Sequence, residues 1–295
     1  MKTYESTVYS IHDSFPLSVL TCIPDEVKGI VQISHGMAEH KERYLPFMEF
    51  LCQHGFACVI HDHRGHGKSV KDRKDLGYFY EENATAIVED LLTVSSSLRK
   101  QYTDVPFTLF AHSMGSLVAL KYIQKYDGSL NRLILCGLPC KNALASVGIG
   151  IVRGMEVLFS SHYRSRFVSY LATGSYGKGS SWLSKSVENQ KVYDADPDCG
   201  FRFTLNGYKN LFTLARDAYR SSAFSCQNPD LQVVFVAGEK DPVIGGVKKW
   251  KASMAFLRQQ GYENIRFRLF SSLKHEILNE KERDFVYNNI LEYII

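Results

Sequence analysis

The sequence predicts an α/β protein: a mostly parallel central sheet with helices on both faces and a helical insertion between two of its strands. Three observations point there. Short β-rich apolar runs alternate with amphipathic helical patterns over most of the chain, the arrangement that builds right-handed βαβ units. The alternation breaks once, between about residues 138 and 205. The chain has 295 residues, 45% apolar and 22% charged, which suits one large domain, or a domain carrying an insertion, with ample material for a core.

Residues 17–23 and 29–34 are apolar runs that read as early strands, and 44–54 is a helical pattern closed by Gly55. A strand at 56–61 follows, then an amphipathic helix over 83–102 with apolar residues at Ile87, Leu91, Leu92 and Leu98. Residues 106–111 form the next strand, 114–126 a helix ending before Gly128, and 130–136 another strand. After the break come a strand at 232–237, a helix at 246–260, a strand at 265–270 and a helix at 280–295. The broken region is helix-like at both ends, with the Gly- and Ser-rich stretch G-S-Y-G-K-G-S-S between them. Within it, Leu144, Val147, Ile151, Met155 and Leu158 fall at helical spacing on one face. That stripe has two readings: packing within its own subdomain, or an apolar wall facing a substrate pocket. The expected division is a core of residues 1–139 and 207–295 with a helical insertion at 140–206.

Composition narrows the function. The net charge is +4, and the densest basic group, Lys248, Lys249 and Lys251, lies on one helix and reads as a solvated face, so no nucleic-acid partner is expected. Seven cysteines, an odd number without C-x-x-C spacing, argue for free thiols in a reducing compartment. No apolar segment resembles a signal peptide or a membrane span, and a cytoplasmic location is expected.

The chemistry centres on L-F-A-H-S-M-G-S-L, residues 109–117. Ser113 follows a strand and opens a helix, so it is either an ordinary N-cap or a nucleophile on a sharp strand-to-helix turn. Such a turn needs small neighbours two residues either side; Gly115 supplies one, and Ala111 stands where Gly is usual. A serine hydroxyl also needs a base and a group that orients the base. In a sheet of this kind these follow in the order Ser, acid, His, each after a later strand. Nine of the ten histidines precede residue 163, and His275 alone follows a plausible acid. The loop after strand 232–237 offers Glu239 and Asp241, of which Asp241, deeper in the loop before Pro242, is the better candidate. Backbone N–H groups of Met114, after the nucleophile, and Met37, in the loop H-G-M-A-E-H, suit a developing oxyanion. H-D-H-R-G-H-G-K-S (61–69) fits no closed zinc set and reads as a tight loop tied down by Arg64. D-A-D-P-D-C-G (194–200) lacks the Gly and Glu of a calcium loop and reads as a turn. Neither metal nor cofactor is expected.

With these residues assembled, the chain resembles the α/β-hydrolase superfamily, and within it the monoacylglycerol lipase and lysophospholipase-like group. The matches are H-G-M-A-E-H-K-E-R-Y (35–44), H-D-H-R-G-H-G-K-S (61–69), F-A-H-S-M-G-S (110–116), A-G-E-K-D-P-V (237–243) and H-E-I-L-N-E (275–280), spread over nearly the whole chain. The resemblance implies an α/β-hydrolase fold with a mobile cap over the site, and a serine hydrolase acting on fatty-acyl or shorter esters without a cofactor. It further implies an acyl-ester substrate and transient lipid-surface contact through the cap. Acyltransferase and proline-iminopeptidase activities on the same fold remain alternatives; a noncatalytic binder is disfavoured by the intact Ser113, Asp241 and His275.

Overall fold

In the computed structural model, residues 1–177 and 179–295 are described, and they form one eight-stranded sheet in the order β1-β2-β4-β3-β5-β6-β7-β8. The strands are β1 Lys2–Tyr9, β2 Pro16–Ile23, β3 Gly29–Ser34, β4 Phe56–His61, β5 Phe107–His112, β6 Arg132–Cys136, β7 Gln232–Gly238 and β8 Ile265–Phe270. From β4 through β8 the neighbours pair in parallel, while β2 runs antiparallel to both β1 and β4. The strands β3, β4 and β5 are buried at every residue, as parallel strands covered on both faces must be.

The helices are α1 Leu45–Gln53, α2 Ala86–Gln101, α3 Met114–Tyr126, α4 Ala145–Leu158, α5 Arg166–Thr173, α6 Val187–Ala195, α7 Leu205–Asp217, α8 Val247–Gln259 and α9 Arg283–Ile294. Alternate strand residues face opposite layers. Ile30, Leu109, Leu133 and Phe235 join α2, α3, α7 and α8 in one core, whereas Val31, Phe110, Ile134 and Val234 join α1 and α9 in the other. The doubly covered α/β sheet read from the sequence is thus the architecture observed.

Two elements escaped the sequence reading. The strand β1 pairs with β2 over all eight residues but sits at the sheet edge almost wholly exposed, so it carries no buried face to betray it. The helix α7 lies past the segment that reads as the insertion; Leu205, Tyr208, Phe212 and Leu214 are among its buried side chains, and Thr204 caps it by accepting from the Gly207 N–H at 3.2 Å. Between β6 and β7 the chain therefore runs four helices, α4 to α7, where other crossovers use one. Lys178, in the Gly- and Ser-rich stretch, lies outside the described residues. Among the described residues no helix is long and apolar enough to cross a membrane.

Candidate active site

The parallel strands end together, and their carboxyl ends carry the residues singled out above, as in open α/β sheets generally. His35-Gly36-Met37 follows β3, Ser113 follows β5, Gly137 follows β6, Asp241 lies beyond β7 and His275 beyond β8. A cavity of about 360 Å³ opens here, lined by Met37, Ser113, Met114 and His275 among others.

Ser113 adopts φ 54° and ψ −119°, a left-handed conformation that is uncommon outside Gly, and its hydroxyl makes no capping bond to α3. The turn is held by Ser113 N–H donating to Cys136 O at 2.9 Å and by Ser116 Oγ donating to Ala111 O at 2.8 Å. Gly115 is required by close approach, because a Cβ there would lie 2.2 Å from Ser34 O. Ala111 is fully buried inside the sheet, and its methyl is accommodated. A Cβ on Gly36 would lie 2.6 Å from Glu39 Oε1 and 3.1 Å from Ser113 Cβ, so glycine lets the Met37 loop close on the serine.

His275 Nδ1 meets Asp241 Oδ2 at 2.8 Å, and Asp241 Oδ1 accepts the Val243 N–H at 2.8 Å. Both residues are buried. Glu239 is exposed and bonds Ser271 Oγ at 3.3 Å and Ser272 N–H at 3.2 Å, well away from the histidine. The imidazole of His275 packs against the rings of His112, centroids 4.6 Å apart, and Trp182, 5.2 Å apart.

Several supporting residues were not read from the sequence. Gly137, at φ 57°, leaves room for the dyad: a Cβ there would lie 2.9 Å from His275 Cε1 and 3.1 Å from Asp241 Oδ2. Glu39 accepts Gly36 N–H at 2.6 Å, Tyr44 OH at 2.9 Å and Arg43 at 2.8 Å, fixing the turn that presents Met37. Arg43 also clasps Glu276, next to His275, through two bonds of 2.7 Å. Burial pushes the Glu39 carboxyl up, but the His112 hydrogen bond and the Arg43 charge outweigh it and hold it well below the ordinary range. Burial likewise opposes charge on His112, and the hydrogen bond and charge of Glu39 overcome it and raise its pKa. The motif 35–44 contains Glu39 and Arg43, yet nothing in spacing alone says that Arg43 meets a residue 233 positions away.

The 61–69 segment is a structural loop. Arg64 binds Asp90 at 2.6 Å and Asp13 at 2.7 Å. His35 spends Nδ1 on Gly36 O at 2.8 Å and Nε2 on the His63 N–H at 2.9 Å, so it is neutral and engaged. Burial lowers its pKa to about 4, and those of His61 and His66 to about 3.

Of the two readings left open for the α4 stripe, the wall of the substrate pocket is not what is observed. The stripe Leu144, Val147, Ile151, Met155 and Leu158 does not line the cavity. The face of α4 turned inward is Ala145, Gly148, Ile149 and Val152, where Gly148 gives close approach to Phe212. Ile151 and Met155 are half-buried at its margin, while Leu144 and Leu158 stand 69% and 78% exposed. The apolar cavity wall comes from Ala172 on α5 and Leu211, Phe212 and Ala215 on α7.

A family model described as serine aminopeptidase, S33, matches residues 25–282. A monoglyceride lipase homolog of monkeypox virus is 33% identical over 270 residues, covering 90% of this chain and 88% of that protein. A monoacylglycerol lipase of Mycolicibacterium smegmatis is 26% identical over 278 residues, covering 92% and 90%. Among solved structures, a thermostable carboxyl esterase from Bacillus coagulans in complex with glycerol superposes with a TM-score of 0.86 at 24% identity, over 100% of this chain and 98% of that one.

Proposed function

This chain belongs to the serine aminopeptidase S33 family of α/β hydrolases and is a serine ester hydrolase, and from that premise we propose that it cleaves fatty-acyl esters of the monoacylglycerol or lysophospholipid type through a Ser113–His275–Asp241 triad. The observation that carries the proposal is Ser113 on a left-handed turn in the same cavity as a His275 whose Nδ1 is held by Asp241 at 2.8 Å. With Nδ1 engaged, Nε2 is the nitrogen left to take the Ser113 proton as Oγ attacks the ester carbonyl. The oxyanion forms between the N–H groups of Met37 and Met114, the latter at the positive end of α3. His275 returns the proton to the leaving alcohol, the acyl group stays on Ser113, and water activated by the same histidine releases the acid. An acyl chain lies along Ala172, Leu211, Phe212 and Ala215. Residues 140–206 act as the cap, and the outward apolar side chains Val157, Leu158, Phe167 and Tyr170 offer it transient contact with a lipid surface.

The peptidase reading is weaker because the carboxylates near the cavity are already engaged. Glu39 and Glu276 are paired with Arg43, and Asp194 accepts Ser180 Oγ at 2.8 Å, so a substrate amine finds no unpaired acidic partner among them. The test is Ser113→Ala against wild type on p-nitrophenyl esters of graded length, a monoacylglycerol, a lysophospholipid and an aminoacyl-proline substrate. Ester hydrolysis should fall by about 10⁴-fold or more. Retention of more than a few per cent of activity would remove Ser113 from the nucleophile's role. A preference for the aminoacyl substrate would favour the peptidase, and transfer to added alcohol outrunning hydrolysis would favour the acyltransferase.

A further inference from the structure

We propose that His40, Asp196 and Cys199 form a zinc-class metal site that clamps the turn after α6 onto the loop carrying Met37. Among the described residues, one group offers Nε2, a carboxylate oxygen and Sγ within 4.8 Å of one another, and it is this one. The donors are of three kinds, imidazole, carboxylate and thiolate, a set suited to a borderline divalent ion such as Zn²⁺ and poorly suited to Ca²⁺ or Mg²⁺. That difference is why the 194–200 segment, weighed alone as an oxygen-ligand loop, holds no calcium motif, yet becomes a ligand source once His40 is beside it.

The surrounding contacts aim the ligand atoms. His40 Nδ1 is held by Glu42 Oε2 at 2.7 Å, which leaves Nε2 directed at Asp196 Oδ2, 2.8 Å away. A carboxylate behind the far nitrogen is the usual support of a metal-bound imidazole. Asp196 Oδ1 accepts the Asp198 N–H at 2.8 Å, so its other oxygen is the one turned inward. Asp196 and Cys199 belong to one tight turn, in which Cys199 N–H donates to Asp196 O at 3.1 Å. Ligand bonds of about 2.0–2.3 Å around a tetrahedral ion would open the Nε2–Oδ2 pair by roughly half an ångström and set Sγ about 3.6 Å from its fellow ligand atoms, with a water in the fourth position. Binding expels the Nε2 and Sγ protons to solvent. His40 and Asp196 are half-buried, so ions reach the site from solvent.

The site spans the two parts of the protein that meet over the cavity. Two residues before His40, Ala38 O accepts Tyr193 OH at 3.0 Å and Gly200 N–H at 2.9 Å, and Met37, Tyr193 and Gly200 all line the cavity. An ion at His40 would lock these contacts and hold the cap segment closed. The nearby Arg43 does not repel it, because Glu39 and Glu276 already neutralise that guanidinium.

The experiment titrates chelator-treated full-length protein with Zn²⁺ by calorimetry and with Co²⁺ by absorption, alongside Cys199→Ser, Asp196→Asn and Cys140→Ser. Wild type and Cys140→Ser should bind one ion per chain and give a thiolate-to-Co²⁺ charge-transfer band with four-coordinate ligand-field bands. Cys199→Ser should lose the thiolate band, and both Cys199→Ser and Asp196→Asn should bind at least about 10-fold more weakly, the scale expected for losing one ligand. At a concentration that fills wild type and leaves the variant largely empty, Zn²⁺ should raise the melting temperature of wild type and slow its ester hydrolysis, while Cys199→Ser hydrolyses esters at the same rate with or without the ion. No binding, or a thiolate band that survives in Cys199→Ser, overturns the site: the first means that His40 only bridges Glu42 and Asp196 as an ion pair, the second that another thiol binds. Because metal binding is read directly, these outcomes are independent of whether Ser113 is the nucleophile.

Discussion

Gly137→Ala tests whether the position of His275 governs the rate. The added Cβ would lie 2.9 Å from His275 Cε1, 3.0 Å from Nδ1 and 3.1 Å from Asp241 Oδ2, all well inside the roughly 3.5 Å at which such atoms rest. Relief requires the imidazole to recede by about half an ångström. The ring has little room to do so, since His112 and Trp182 pack against it and it is 2% exposed. A displacement of about 1 Å costs on the order of 10² in rate, so kcat should fall about 10- to 100-fold. The left-handed φ of 57° adds a separate cost of about 1–2 kcal/mol to the fold. Gly128→Ala is the control: its Cβ would meet nothing within 4 Å, and stability should change by less than about 0.5 kcal/mol with kcat unaltered. The assay is kcat and KM on a p-nitrophenyl ester well below the melting temperature, with urea denaturation of the same samples. If Gly137→Ala loses the expected stability yet keeps kcat within about twofold of wild type, then crowding the dyad does not reach the chemistry, and His275 as base is refuted.

Asp241→Asn should cost about 10⁴ in kcat, while Glu239→Gln, at an exposed site bonded only to the 271–272 turn, should change kcat less than about threefold; the reverse ranking would move the acid. Leu211→Asp should penalise decanoate esters far more than acetate, each buried methylene being worth up to about 0.8 kcal/mol, and equal penalties would mean that α7 is not the acyl wall. Acid should destabilise the fold through its buried histidines. His35, His61 and His66 are lowered to about 4, 3 and 3 by burial, against about 6.5 in an unfolded chain. The folded values are depressed, so the unfolded state takes up the extra protons: stability is full above about pH 6.5 and falls below it, by as much as about 4 kcal/mol per pH unit for three groups. His112, whose pKa is raised, works in the opposite sense: its contribution grows as pH falls towards the unfolded value and is then complete, so it offsets only a small part of the loss. Urea midpoints measured from neutral pH down to about 5 should track that slope, and a flat profile would mean that these imidazoles are charged when folded.

Much of the site was legible locally. Ser113 announces itself because a strand-to-helix turn demands Gly115 within reach of Ser34 O, and the order Ser113, Asp241, His275 follows from which strands precede each residue. Asp241 lies deeper in its loop than Glu239, and it is Asp241 whose carboxylate meets His275 at 2.8 Å. The α4 stripe stayed open between two readings because helical periodicity reports that a helix has an apolar face and says nothing of where the face points; here part of it is left to solvent while the small face, Ala145 and Gly148, packs inward.

By itself the sequence determined most of the strands and helices, though neither β1 nor α7, the doubly covered sheet, and the chain positions at which a nucleophile, an acid and a base can stand, since each rests on local patterns and their order along the chain. Only the tertiary structure decided that β4 lies between β2 and β3, that Arg43 joins Glu39 to Glu276, that Gly137 makes room for the dyad, and that His40 meets Asp196 across 156 positions. The physical reason is the same in each case. Parallel strands end on one edge whatever their separation along the chain, so the residues that meet there are chosen by sheet order and crossover packing, which leave no periodic trace in the sequence.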